Sequence, residues 1–454
     1  MAFSNSYLSE DGFQEALRVV QIQDYLSSLT KENYPRYLNL ILETDYIKSP
    51  ERAEEFAHHI VETVKYRVKN VATFADLLQQ LQIESEEFPA LKNIEKHVLN
   101  EIAAELTSER VGRCAMQLIQ FLSKCFIRKV YTNAEIMKFI RSNIHSKNAR
   151  QIAVLHIFSH FCYLIEELDP PLYNQHIKIM KQIATQDPYS PVIIFLNEIE
   201  GWRKDNWFAL KTLLSHDYNG LTLEGAMIMD DLPALMNCAA QPEFSPDGCM
   251  QTNLFTPSNM LETHPTIIQY AAYFGSIKCF KYLLSLGADI SIESYPKCST
   301  INFASAGGNM NIIKILDDKK INFKGASQYA AMYYNYDLLV WAIENKDKCL
   351  LAVDQSLGTA FECAATSNFI KGMLYLIEKG ADVNVCKTGS NPLFYACVFG
   401  QIDTIRLLLS HKDINPDVRD AQGVFISFLI LIRFSTVYLT INQKVFVSFS
   451  KPKI

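Results

Sequence analysis

A pair of small residues recurs down the second half of this chain at a near-constant interval, and no other feature restricts the fold as much. The segments TIIQYAAYFGSIKCFKYLLSLGADIS, STINFASAGGNMNIIKILDDKKIN, ASQYAAMYYNYDLLVWAIEN, TAFECAATSNFIKGMLYLIEKGADVN and NPLFYACVFGQIDTIRLLLSHKDIN begin at Thr266, Ser299, Ala326, Thr359 and Asn391. Aligned on Ala271, Ala304, Ala330, Ala364 and Ala396, they step by 33, 26, 34 and 32 residues. A unit of that length cannot bury its own apolar face, so copies must stack. Paired alanines let one helix approach its neighbour, and leucines such as Leu283, Leu284, Leu407, Leu408 and Leu409 fill the shared layer. Gly287 and Gly380 suit the left-handed position that ends a helix. The pattern predicts an α-solenoid.

The residues as well as the period resemble ankyrin repeats, whose consensus opens T-P-L-H-x-A-A-x-x-G and closes G-A-D-x-N. Thr266, Ala271, Ala272 and Gly275 match the opening, as do Pro392 and Leu393; Gly287, Ala288 and Asp289 match the close, and Gly380 to Asn384 match it fully. The copy at Ala330 is the most divergent, with Tyr334 where glycine is usual and a short approach loop. LEGAMIMDDLPALMNCAA, from Leu223, reads as a degenerate first copy, set apart by a longer loop that includes Asn253 to His264. The resemblance covers about residues 220–423. More loosely, a helical leader followed by repeats of this style is similar to the ankyrin-repeat families expanded in trichomonad protists.

Upstream, from about Ser9 to Ser215, helix follows helix without a fixed period. SPERAEEFAHHIVETVKYRVKN has a Ser-Pro start, acids in its first turn and bases at its end, an order that complements the helix dipole. Its Phe56, Ile60, Val61, Val64 and Val68 recur at helical spacing. Thr132 and Glu135 form a capping-box pattern, and the nearly all-apolar stretch ahead of Pro170-Pro171 reads as a central core helix. The expected fold is all-α: an irregular helical domain over 1–219, about six repeats over 220–423, and an aberrant apolar tail over 424–454.

Composition narrows the function. The 454 residues are 49% hydrophobic and 20% charged with net charge −6, which fits a folded chain without a general pull toward nucleic acid. Eleven cysteines, an odd count without a CxxC pair, and a start lacking a basic, apolar leader point to reduced thiols in the cytoplasm or nucleus. The tail has enough apolar character between Val424 and Ile441 to raise a membrane anchor. Arg433 at its centre costs about 2.5–3.5 kcal/mol on insertion scales, which argues against one.

Chemistry finds little support. His156 and His160 share a helix face, with Glu166 and Glu167 two turns on, but a zinc hydrolase helix would carry Glu beside its first histidine and Ile157 stands there. The adjacent His58 and His59 point to different faces, and Glu54, Glu55, Glu166 and Glu167 read as solvated helix charges. Phosphate-binding loops, a dinucleotide fingerprint and a nucleophile elbow are absent, and Cys363 and Cys397 sit at packing positions. The expectation is no catalytic residue, no cofactor and no metal.

A binding module is the reading that remains. The ankyrin resemblance implies protein partners held by loop tips and by the exposed part of each first helix. The two residues before each helix-ending glycine position would then project from the stack: Tyr273 and Phe274, Ala306 and Gly307, Met332 and Tyr333, Thr366 and Ser367, Val398 and Phe399. Tyr273, Phe274, Met332, Tyr333, Val398 and Phe399 have the character enriched at interface cores. Packing on a neighbouring repeat or on the helical domain is the competing explanation. Tyr295, Pro296, Lys387 and Thr388 are the loop-tip candidates. The function expected is a non-catalytic scaffold or adaptor. A membrane-attached scaffold and a metal-dependent enzyme around His156 are the alternatives.

Overall fold

The computed structural model describes residues 3, 5–107, 114–145, 151–187, 190–215, 222–295, 297–346, 357–386 and 391–415. Among these the chain is all-α, with isolated β-bridges as its only extended pairings. The contacts divide it into two compact units. One runs from Ile22 to Lys324; the other joins Met1–Gln21 to Gly325–Ile454.

The first unit opens with the irregular helices. Pro50–Tyr66 packs on Ile94–Thr107, Val71–Glu84 on Ala115–Ile127, and Gln151–Leu168 on both Ala115–Ile127 and Pro170–Gln186. Phe56, Phe74, Phe121, Phe158, Phe161 and Phe195 are fully buried in one continuous core. The expected caps form: Ser49 accepts from the Arg52 amide, and Thr132 and Glu135 exchange both bonds of the capping box. Val68 falls beyond the helix end at Tyr66, in a short 3-10 turn. Pro170 does more than stop the preceding helix. It occupies the first turn of the next, where its missing N–H costs nothing, with Asp169 as the cap.

Among the described residues six helix pairs follow, three in each unit. Leu223–Met229, Ile267–Phe274 and Thr300–Gly307 are first helices in one unit, and Ala326–Met332, Ala360–Thr366 and Pro392–Phe399 in the other. Each is followed by a residue at positive φ: Asp230, Gly275, Gly308, Tyr334, Asn368 and Gly400. These lie four residues after Ala226 and after the five anchoring alanines. The divergent copy therefore keeps the geometry while Tyr334 bears the left-handed backbone at φ 61°. Leu223–Met229, expected as part of a degenerate first copy, packs on Ile267–Phe274. Tyr270 Oη donates to Glu224 at 2.7 Å, and Asp230 accepts from the amides of Lys278 and Cys279 at 2.9 and 3.0 Å.

In the second unit the first residues of the chain join the last repeats. Leu8 and His411 form an antiparallel bridge, flanked by Ser9 N–H to Ser410 O at 3.0 Å and Lys412 N–H to Tyr7 O at 3.1 Å. Residues 416–423 and the apolar tail lie outside the described residues.

Candidate interaction surface

The repeats are built so that side chains at the first helix reach the loop before the next copy. The third position of that helix supplies the hook. Gln269 Nε2 donates to Ile292 O at 2.6 Å, Asn302 Nδ2 to Lys324 O at 3.1 Å, and Gln328 Nε2 to Gly358 O at 3.3 Å. The left-handed residue supplies a second link wherever it has a side chain. Asn368 Oδ1 accepts from both the amide and the hydroxyl of Thr404 at 3.0 Å, while its Nδ2 donates to Asp403 at 2.9 Å.

This geometry corrects part of the expected surface. Tyr273 is 6% exposed and Phe274 4%, so neither projects into solvent. Their rings pack against each other at 5.2 Å, and the Phe274 carbonyl accepts from Lys69 Nζ of the helical region at 3.1 Å. Packing against that region and the next repeat is the physical reason. A Cβ on Gly307 would overlap the Tyr273 carbonyl and come within 2.6 Å of the Ala272 carbonyl, so the two first helices lie closer than any side chain at 307 permits. Val398, at 7% exposure, is buried too. Ala306 and Ser367 are likewise buried, and Thr366 is half-buried. Met332, Tyr333 and Phe399 keep partial exposure. Tyr295 stands out in solvent at 84%. Pro296, Lys387 and Thr388 lie outside the described residues.

The enzyme-like histidines serve as an anchor for a loop. His156 Nδ1 faces the Leu254 carbonyl at 3.0 Å and His160 Nδ1 faces the His156 carbonyl at 2.9 Å, so each Nδ1 carries the proton. Phe255 packs 5.0 Å from the His160 ring and also touches Phe195 and Trp202. Burial pushes His156 down to about 4 and His160 to about 3, with His156 adding to the latter shift. Both rings are neutral at physiological pH and committed to structure. Among the described residues no group of three or more potential ligands could hold a metal ion.

Other charged positions have partners that sequence did not supply. Glu166, expected as a solvated charge, accepts from Arg203 Nε and Trp207 Nε1, each at 2.8 Å, and ties its own helix to Pro191–Lys204 and to the turn that follows it. His58 pairs with Glu101 at 2.9 Å and His59 with the Tyr46 hydroxyl at 3.1 Å, on different faces as expected. Lys65 is buried between Glu62 and Glu105; burial is the largest single influence and lowers its pKa, but the two carboxylates, with Cys114 and the Glu62 hydrogen bond, together outweigh it and raise the pKa. Helical spacing of Glu62 and Lys65 was the only available signal for that cluster. Cys363 and Cys397 are buried, as packing requires.

Comparison with known proteins bears on the repeats directly. Residues 327–420 match the sequence model of ankyrin repeats in three copies. Residues 327–420 carry ankyrin repeats. The match takes in the last three helix pairs, and the three upstream pairs share the same left-handed turn. The human ASB11 ankyrin repeat domain is similar over 46% of this chain and 90% of its own, at 20% identity and a TM-score of 0.36. No curated protein matches the chain.

Proposed function

We propose that this chain is a non-catalytic scaffold or adaptor that holds protein partners on its ankyrin repeats, in the style expanded in trichomonad protists. The ankyrin match over residues 327–420 carries the reading. Stacked repeats present an ordered surface, so less binding energy is spent on ordering it. The contact residues assigned here are Met332, Tyr333 and Phe399, which remain partly exposed, and the loop-tip Tyr295; Pro296, Lys387 and Thr388 join them on the ankyrin analogy. Tyr273, Phe274 and Val398 are left out because their burial favours a packing role. The domain division at 219/220, into a helical coupling region and a repeat region, belongs to the same proposal. So does a reducing, cytoplasmic setting, which the free cysteines favour. Among the described residues no helix is long and apolar enough to cross a membrane.

The test uses the full chain as bait in native lysate, beside a variant carrying Met332→Ala, Tyr333→Ala and Phe399→Ala and a second carrying Tyr295→Ala. Circular dichroism first establishes that all three are folded. Proteins retained by the native chain and lost from either variant support the reading. Equal retention by all three would remove these residues as the contact surface.

A further inference from the structure

Three outer helices of the first unit, Leu232–Ala239, Ile277–Ser285 and Met310–Asp318, pack side by side as the second members of their pairs. Their fifth residues are Met236, Lys281 and Lys314, and all three are exposed. Neighbouring helix axes lie about 8–10 Å apart, so the two lysines stand in one short row. Tyr282 and Ile315, both half-buried, follow them at the sixth positions. Among the described residues no carboxylate pairs with either lysine, Asp318 one turn beyond Lys314 included.

The same unit carries the complementary arrangement. Val71–Glu84 ends in Ile83, which is 56% exposed, and Glu84; the exposed Glu86 and Glu87 follow directly. A hydrogen-bonded turn holds these acids in place. The Glu86 amide donates to Ile83 O at 3.2 Å, the Glu87 and Phe88 amides donate to Glu84 O at 3.0 and 2.8 Å, and Phe88 packs on the core. A helix C-terminus carries partial negative charge and favours bases. This one has no base in its last turn and acids just beyond it. Among the described residues no lysine or arginine pairs with Glu86 or Glu87. The unit thus holds a negative cluster that it does not neutralise itself, beside an exposed aliphatic side chain.

We propose that these two surfaces are the halves of one contact, and that the lysine row is covered by the turn at Ile83 to Glu87 of a second copy of this chain. Glu86 and Glu87 meet Lys281 and Lys314, and Ile83 meets the apolar strip of Met236, Tyr282 and Ile315. Opposite charges select the partner and its register, while the aliphatic contact adds area removed from water. Two unlike patches meeting makes a head-to-tail contact, so copies add one after another and form a ring or an open chain. The patches are small, which makes the association weak and sensitive to salt. The row lies on the second helices, so this inference stands apart from the proposed first-helix and loop-tip contacts and leaves those surfaces free.

Sedimentation velocity on the full chain tests this, after circular dichroism shows that every variant is folded. At low salt the native chain should shift to larger species as its concentration rises to about 0.1 mM, where even a weak contact is populated. The shift should shrink at about 1 M salt, where the screening length is about 3 Å. Lys281→Glu with Lys314→Glu, and separately Glu86→Lys with Glu87→Lys, should each weaken self-association at least tenfold. Mixed in equal amounts, the two variants should associate again, because one supplies the native acids and the other the native lysine row. A native chain that stays monomeric would overturn the proposal. So would self-association that neither reversal weakens, or a mixture that sediments as its two parts do alone. If a reversal fails to fold, Lys281→Gln with Lys314→Gln and Glu86→Gln with Glu87→Gln replace the pair, and retained self-association in either overturns the proposal.

Discussion

The left-handed position after each first helix shows how a departure from consensus can be structural rather than degenerate. Glycine is the usual occupant because it has no Cβ to clash at positive φ. Tyr334, at φ 61°, bears that cost and offsets it. Its ring packs 4.9 Å from Phe369 and its hydroxyl donates to the Ser367 carbonyl. Asn368, at φ 59°, caps Thr404 and holds Asp403, and Asp230 caps the start of Ile277–Ser285. Restoring consensus should therefore harm the protein. Asn368→Gly keeps the backbone angle but removes three hydrogen bonds at buried sites, each with a net value of about 0.5–1.5 kcal/mol. Urea unfolding should show a loss of about 2–3 kcal/mol. An unchanged or raised midpoint would mean that relief of strain outweighs the caps. Sequence reading finds Tyr334 as a mismatch with glycine and does not single out Asn368 or Asp230. It could not see their bonding, because each partner belongs to the neighbouring repeat.

At the scale of helices, the alanine and glycine spacing made the repeats legible, and the cause is steric. Ala271, Ala304, Ala330, Ala364 and Ala396 are all fully buried, which the spacing of small residues required. Gly307 is the sharpest case, since a methyl group there would meet two backbone carbonyls of Ile267–Phe274 that no rotamer change can move. Gly307→Ala should cost about 1–3 kcal/mol through forced separation of the helices, although alanine favours a helix over glycine by about 1 kcal/mol. Thermal unfolding checks the sign: a rise in Tm would show that propensity outweighs the close approach. Tyr273 and Phe274 are buried where repeat periodicity predicts exposure, for a related reason. Repeat periodicity places a residue on its helix, but it cannot show the neighbours from distant sequence, such as Lys69, which donates to the Phe274 carbonyl from 205 residues upstream. The segment at Tyr7, which meets the last repeat some four hundred residues later, was hidden in the same way. Local pattern carries the helix and its buried stripe, and long-range contact decides what remains exposed.

Across the molecule, four histidines contribute to the response to acid, because burial holds His156, His160, His176 and His411 all below their ordinary pKa. The folded chain keeps them neutral while the unfolded chain takes up protons from pH about 6.5 downward. Their contribution is thus complete above pH 6.5 and is lost as pH falls through the folded values. For His156, nearly fully buried with a folded value of about 4, the loss is about 3 kcal/mol. Three buried carboxyls act in the opposite sense, whereas Glu101, against burial, is held low by His58 and acts with the histidines. Glu105, Glu224 and Glu262 are raised first of all by burial, so their contribution is complete below their unfolded pKa and fades as pH rises through the folded one. The native pH profile is a sum of both, and a difference isolates the histidines. His156→Gln with His160→Gln should lower stability at pH 7.5, where the Leu254 carbonyl and its neighbours lose their donors. Between pH 7.5 and 4.5 the variant should lose less stability than the native chain, by about 3 kcal/mol or more in urea unfolding. Parallel profiles would assign the acid response to other groups and leave the two rings as passive anchors of the loop at Leu254 and Phe255.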